Sequence, residues 1–484
     1  MEKISRRKLV KAAGAAAAAT AFNFQVVPSR VFGANDRVRL GAIGTGGKGA
    51  SDIKGSADAG FEIGALCDVV DVAQYPNVEG RLKGLIGARK EHANAPFYMD
   101  WREMLEKEAG NLDAVTVSTP DHMHAFATIA AMRKGLACYT QKPLTHGIWE
   151  ARAVSKVAAE TGVVTQMGNQ AHAENHMRRI VELVRAGLIG KVKEVHVWTN
   201  RPIWPQAIKK YPEAEPTPKY IDWDLWTGPA PMHDFSTKIL PFNWRGYWDY
   251  GTGALGDMAC HIMDMSYWAL ELGAPVSVEA VSADGNGALT DVSPPTWATI
   301  TYTFKKGDDE IKYVWYDGYK DAVFNEEIWA LESKDAPGNK PRTRNLPPQE
   351  VLEGQPDDEG KGYGTVMVGT EGKLWFQRHN ENWFVKPSKK LDGLDIPVTV
   401  PRARGENPHN EFFDAVVAKD PKGALSNFHH SGPFTEMVLL GNLAVRLNKK
   451  VEWDSEKLMS PNTPEAAKLV KRDYRDGWKL DVQV

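Results

Sequence analysis

The chain has 484 residues, 42% hydrophobic and 25% charged, the proportions of an ordinary globular protein with room for more than one core. Its net charge is −3, but residues 1–34 carry six Lys/Arg against one Glu, which leaves 53 basic and 61 acidic residues beyond them, a net of −8. That acidic body disfavours nucleic acid or an anionic membrane as partner. The scattered Cys67, Cys138 and Cys260 offer neither a disulfide framework nor a paired metal motif.

In chain order, the first feature is Ser5-Arg6-Arg7-Lys8-Leu9-Val10-Lys11, followed by a weakly hydrophobic, Ala-rich run to Phe24. It resembles a twin-arginine export signal and is too short to stay in a bilayer as a stop-transfer helix. A signal peptide over 1–34 and a periplasmic mature protein are expected. Beyond it no apolar run reaches transmembrane length, so stable membrane insertion is not expected.

A short apolar strand ending at Ile43 runs into Gly44-Thr45-Gly46-Gly47-Lys48-Gly49, and a helix is predicted from Gly49 to Ala59. A second strand, 61–66, ends near Asp68, 24 residues beyond Gly44. Strand, glycine turn, helix and distal acid together form a dinucleotide fingerprint. Gly44 permits the tight turn, Gly46 lets backbone approach a pyrophosphate, and Gly49 lets helix pack on strand, with Thr45, Gly47 and Lys48 completing the loop. Asp68 would accept hydrogen bonds from ribose hydroxyls and repel a 2′-phosphate, so NAD is favoured over NADP.

The alternation continues. Strand 113–118 ends in Thr119-Pro120-Asp121-His122-Met123-His124, and strand 137–140 ends in Gln141-Lys142-Pro143. Helices are predicted over 125–134 and 149–161, with a further strand over 163–167. A doubly wound parallel sheet puts its ligand beyond the carboxyl ends of its strands, where Thr119, Pro120, His124 and Lys142 fall.

With Gly253 to His261 (GALGDMACH) added, the set GTGGKG, Asp68, STPDHMH, QKP and G-x-x-x-D-x-x-x-H resembles the Gfo/Idh/MocA family over about residues 37 to 450. The resemblance implies an α/β protein. An N-terminal Rossmann domain (35–165) would precede a C-terminal α/β domain (166–450) with a large, mostly antiparallel open sheet and a tail (451–484). It also implies a homo-oligomer and a catalytic set of Lys142, Asp257 and His261. His261 would be the general acid/base, Asp257 its orienter or a substrate contact, and Lys142 the electrostatic anchor and proton relay. Gln141 departs from the family's Glu.

In the second half, His172 and His176 are four apart. A metal site with Asp257 and His261 is the minor reading, and none is expected; His172 is read as a substrate contact. His196 is read as sitting on a sheet face. Trp198 to Trp248 is dense in aromatics, and Trp244 and Arg245 are expected to contact a carbohydrate. Strands are predicted within 273–317, a long loop over 335–360, helices over 407–418 and 435–448, and a basic helix in the tail. The function expected is oxidation of a sugar or glycoside hydroxyl with tightly bound NAD. The alternatives are a redox-neutral NAD-dependent glycoside hydrolase and a non-catalytic sugar-binding protein.

Overall fold

The first half builds its sheet from short strands buried on both faces, the pattern of a parallel sheet covered by helices. The structure, a computed structural model, describes residues 37–71, 83–283, 290–353, 363–377 and 380–484. The expected signal segment lies outside the described residues.

Strands β1 (Arg39–Ile43), β2 (Glu62–Cys67), β3 (Phe97–Tyr98), β4 (Ala114–Val117), β5 (Ala137–Thr140) and β6 (Thr165–Met167) run in the order β3-β2-β1-β4-β5-β6. Every pairing is parallel. Helices α1 (Lys48–Ala59), α2 (Lys83–Glu91), α3 (Trp101–Glu108), α4 (His124–Arg133) and α5 (Ile148–Thr161) make the crossovers. Strand order reverses between β1 and β4, and the crevice at such a reversal is where a ligand binds.

The second sheet follows α6 (Asn175–Arg185) and uses β7 (Val192–Thr199). Helices α7 (Gly253–Ile262) and α8 (Asp264–Leu270) come next, then β8 (Ser277–Ser282), β9 (Trp297–Lys306) and β10 (Asp309–Gly318). The β11 (Ala322–Asn325) and β12 (Ala330–Ser333) ribbon stands apart. Then come β13 (Tyr363–Gly369), β14 (Gly372–Gln377) and β15 (Asn380–Lys386), helices α9 (Pro408–Ala418) and α10 (Phe428–Leu447), and β16 (Val451–Glu452). The eight strands order as β15-β14-β13-β7-β10-β9-β8-β16. Only β7 with β10 is parallel, so the sheet is mostly antiparallel, as expected. β9 alternates, burying Ala298, Ile300, Tyr302 and Phe304. Helix α10 lies close to it: Tyr302 Oη donates to Val438 O at 3.2 Å, and a Cβ on Gly441 would stand 2.1 Å from that hydroxyl.

Two expectations need correcting. The tail holds a 3-10 turn at Pro464–Ala466 and one α-helical turn at Ala467–Val470 rather than a basic helix. Within the tail, β16 extends the second sheet, and the residues after it return to the first. Arg472 Nε reaches Glu150 Oε1 at 2.9 Å, Tyr474 Oη reaches it at 3.1 Å, and Trp478 packs on Phe126. Helix α10 begins at Phe428 instead of 435, because Asn427 accepts from the His429 and His430 amides and Pro433 is accommodated inside it. One hydrophobic cluster joins the halves, containing Ile43, Val115 and Cys138 together with Ile300, Tyr302 and Phe304.

Candidate functional site

The glycine loop takes the form its sequence requires. Gly44 sits at φ +81°, and a Cβ there would lie 2.7 Å from Ser118 O. A Cβ on Gly49 would lie 2.0 Å from Gly44 O, so helix and strand meet only without one. At Gly46 the nearest atom to such a Cβ is 3.9 Å away, leaving the space that a pyrophosphate's approach requires. Asp68, at the end of β2, accepts from Thr45 N at 2.8 Å, Thr45 Oγ1 at 3.2 Å and Gly46 N at 3.3 Å. Burial raises its pKa, and the Thr45, Val70 and Gly46 hydrogen bonds only partly offset this. The carboxylate expected to meet a ribose therefore also ties down the loop.

A cavity of about 650 Å³ opens from this loop toward the second domain. Gly44, Gly46, Gly47, Lys48, Asp68, Thr119, Pro120, Lys142, Trp244, Arg245 and Asp257 line it; Thr45 and Gly49 do not. The cavity and the open glycine cradle fit a dinucleotide. Backbone from the second domain crosses its edge: Asp71 N donates to Tyr220 O at 2.8 Å, and Asp222 N to Val69 O at 2.9 Å.

At the far wall Lys142 Nζ donates to Asp257 Oδ1 and to the Asp257 carbonyl, each at 2.8 Å. Arg245 Nε reaches the same Oδ1 at 3.3 Å, its guanidinium 4.2 Å from the Trp244 ring centre. Burial pushes the Asp257 pKa up, but Lys142 and Arg245 outweigh it and hold the group below its ordinary value. Lys142 and Asp257 thus meet although 115 residues apart. His261 lies one turn beyond Asp257 on α7, buried, and does not line the cavity.

Two proposed contacts are placed elsewhere. The ring nitrogens of His124 lie 2.7 Å from Pro143 O and 2.9 Å from Thr119 O, so it braces the loops carrying Lys142 and Thr119 instead of facing a nucleotide. His172 does not line the cavity: it is 1% exposed, with Nδ1 2.6 Å from Asp264 Oδ2 and its ring stacked on Trp268. Asp264 Oδ1 meets His430 Nε2 at 2.7 Å, and Asn169 Nδ2 adds a third donor at 2.9 Å. These are hydrogen-bond distances, and the cluster joins the exit of β6, the start of α8 and the start of α10. His176 lies beside Glu174, and His196 is bonded by Tyr316 and Glu194 on β7.

Sequence reasoning missed Asp121, which lines the cavity and accepts from Thr252 Oγ1 at 2.7 Å. It also missed the buried Asp52 behind the glycine loop. The first lies inside the TPDHMH motif; the second has no sequence signal beyond a charged residue on the inner face of α1.

A family model described as "Oxidoreductase family, NAD-binding Rossmann fold" matches residues 38–169, and its "C-terminal alpha/beta domain" companion matches 173–324. A glycosyl hydrolase family 109 protein of Solibacter usitatus is 33% identical over 204 residues, 40% of this chain and 45% of that protein. An inositol 2-dehydrogenase of Rhizobium meliloti is 26% identical over 171 residues, 35% and 47% of the two chains. The matches thus span about half the length of these curated relatives. Among solved structures, a levoglucosan dehydrogenase with NADH and levoglucosan has a TM-score of 0.53 at 16% identity, covering 86% of this chain and 99% of that one. The WlbA dehydrogenase of Bordetella pertussis with NADH and UDP-GlcNAcA has 0.54 at 15%, covering 87% and 99%. At that identity these structures establish the shared fold.

Proposed function

Because this chain belongs to the Gfo/Idh/MocA oxidoreductase family, whose first domain binds NAD, we propose that it oxidises a hydroxyl of a sugar or glycoside. The observation that carries this reading is the Lys142–Asp257 pair, 2.8 Å apart on the cavity wall that also holds Arg245 and Trp244. Bound NAD supplies the hydride acceptor. Gly44, Gly46, Gly47 and Lys48 would hold its phosphates and Asp68 its ribose. Lys142 then holds the substrate oxygen as negative charge develops on it, and Asp257 fixes the ammonium. His261, buried one turn along α7 and off the cavity wall, is the residue to which the family resemblance assigns the hydroxyl proton. Trp244 offers an apolar face for a sugar ring, and Arg245 a donor for its hydroxyls.

The backbone crossing at Val69–Asp71 and Tyr220–Asp222 supports tight retention of the cofactor. Retention suits export as an already folded, loaded protein, the route that the Arg6-Arg7 segment proposes. Fractionation of cells and N-terminal sequencing of the isolated protein test that route; a cytoplasmic protein with residues 1–34 intact would overturn it.

The glycosyl hydrolase relatives support a second reading, in which hydride leaves and returns within one turnover while the glycosidic bond is eliminated and water is added. A glycoside panel in deuterated water, followed at the NADH absorbance and by mass spectrometry, decides between them. A keto sugar with accumulating NADH supports the oxidoreductase. Released aglycone, deuterium in the sugar and no net NADH supports the hydrolase. Binding without turnover would leave a sugar-binding protein.

A further inference from the structure

Asp52 takes no part in the chemistry above, yet four donors converge on its fully buried carboxylate. Oδ2 receives Ser118 Oγ at 2.8 Å and Gln141 Nε2 at 2.9 Å. Oδ1 receives Lys48 Nζ and His409 Nε2, the latter at 3.1 Å. An ionised carboxylate is acceptor-only, so each partner must present a hydrogen. Burial would push the proton on, but His409 and Lys48 outweigh it and hold the pKa below the ordinary aspartate value.

Three of the donors come from segments that line the cleft, and the fourth from outside it. Lys48 belongs to the glycine loop, Ser118 precedes Thr119, Gln141 precedes Lys142, and His409 arrives from α9. Gln141 packs directly on Gly168, where a Cβ would stand 2.5 Å from its amide nitrogen, and its own backbone N–H is held by Val117 O at 2.9 Å.

We propose that Asp52 is a positioning residue for the nucleotide cleft, acting through Ser118 and Gln141 on the loops that carry Thr119 and Lys142, and that it demands an amide at position 141. A glutamate there would set two carboxylates at hydrogen-bond distance in a buried site, where both cannot ionise and one must keep a proton. The titratable groups facing Asp52 are Lys48 from its own helix and His409 from α9; Ser118 and Gln141 complete its surroundings.

The proposal rests on NAD binding and not on the choice of substrate, so its test needs no turnover. The full protein is loaded with NADH, chased with excess NAD, and followed by nucleotide fluorescence between about pH 6 and about pH 9. Gln141→Glu is expected to release NADH at near the parent rate at the acid end, where a shared proton bridges the pair, and roughly tenfold faster at the alkaline end. Asp52→Asn combined with Gln141→Glu reverses the polarity of the pair and restores the parent's pH dependence. Gln141→Met, which removes the donor without adding charge, speeds release at every pH. Melting curves accompany each variant; a general loss of stability shifts them without producing the rescue. A Gln141→Glu profile parallel to the parent's, or a double variant no nearer the parent than the single ones, overturns the proposal. So does a Gln141→Met variant that releases at the parent rate. Failure of the sugar-oxidoreductase reading leaves this measurement standing.

Discussion

Lys142 forms its ion pair with Asp257 while also acting on the nearby Asp121, and the pairing with Asp257 sets its sensitivity to change. Removing its charge in Lys142→Met takes away a fixed donor where an alkoxide develops and leaves Asp257 with Arg245 alone. A loss of about 10²- to 10³-fold in kcat is expected, with NADH affinity within a few fold of the parent, measured by turnover and fluorescence titration. His261→Asn addresses the proton: a fall of about 10²- to 10⁴-fold in kcat keeps the general acid/base on His261, whereas full activity assigns it to the Lys142–Asp257 pair. The placement of Gly44, Gly46, Asp68, Lys142 and Asp257 around one cavity was legible because local turns and motif spacing bring them there. His124 and His172 were misplaced because a histidine's partners are set by tertiary contacts: the carbonyls of Thr119 and Pro143 for one, Asp264 and Trp268 for the other.

Elements with a clean period were equally legible. β5 matches its expected range, and α5 begins one residue early. The strands β13 to β15 were missed because turn signals and charges interrupt their apolar runs, and their pairing with β7 cannot be read locally. Helix α6 shows how elements are tied without motifs. Its Glu182 accepts from the Thr399 and Val400 amides, each at 2.9 Å, and from Arg402 and Arg179. Burial pushes that carboxyl up, but Arg402, Val400 and Arg179 bring it down to about 2. A depressed folded-state pKa gives stability that is complete above the ordinary glutamate value of 4.5 and fades as pH falls toward 2. Glu182→Gln should therefore cost about 3 kcal/mol in urea unfolding near neutrality. The gap to the parent should narrow below the ordinary glutamate value.

Across the molecule, the two sheets and the tail act as one piece. The expected boundary at 165 falls at the first residue of β6, which belongs to the first sheet, and that at 450 falls just before β16; the apolar core crosses both, since residues on either side pack together. The returning tail completes that packing: Arg472 and Tyr474 cover buried Glu150, and Trp478 lies 6.3 Å from Trp101, which lines the cavity. Ending the chain after Val470 should uncover Glu150 and Phe126, lower the melting temperature and weaken NADH binding together. Arg472→Ala should lower the melting temperature with a smaller effect on binding. Both follow from paired melting and fluorescence measurements.

The two main-chain hydrogen bonds joining Val69–Asp71 to Tyr220–Asp222 cross the edge where a ribose would enter. A coenzyme retained behind that edge, as proposed above, would leave slowly, and a freshly isolated sample would carry the oxidation state left by its last encounter with substrate, readable as the ratio of oxidised to reduced nucleotide set free on denaturation.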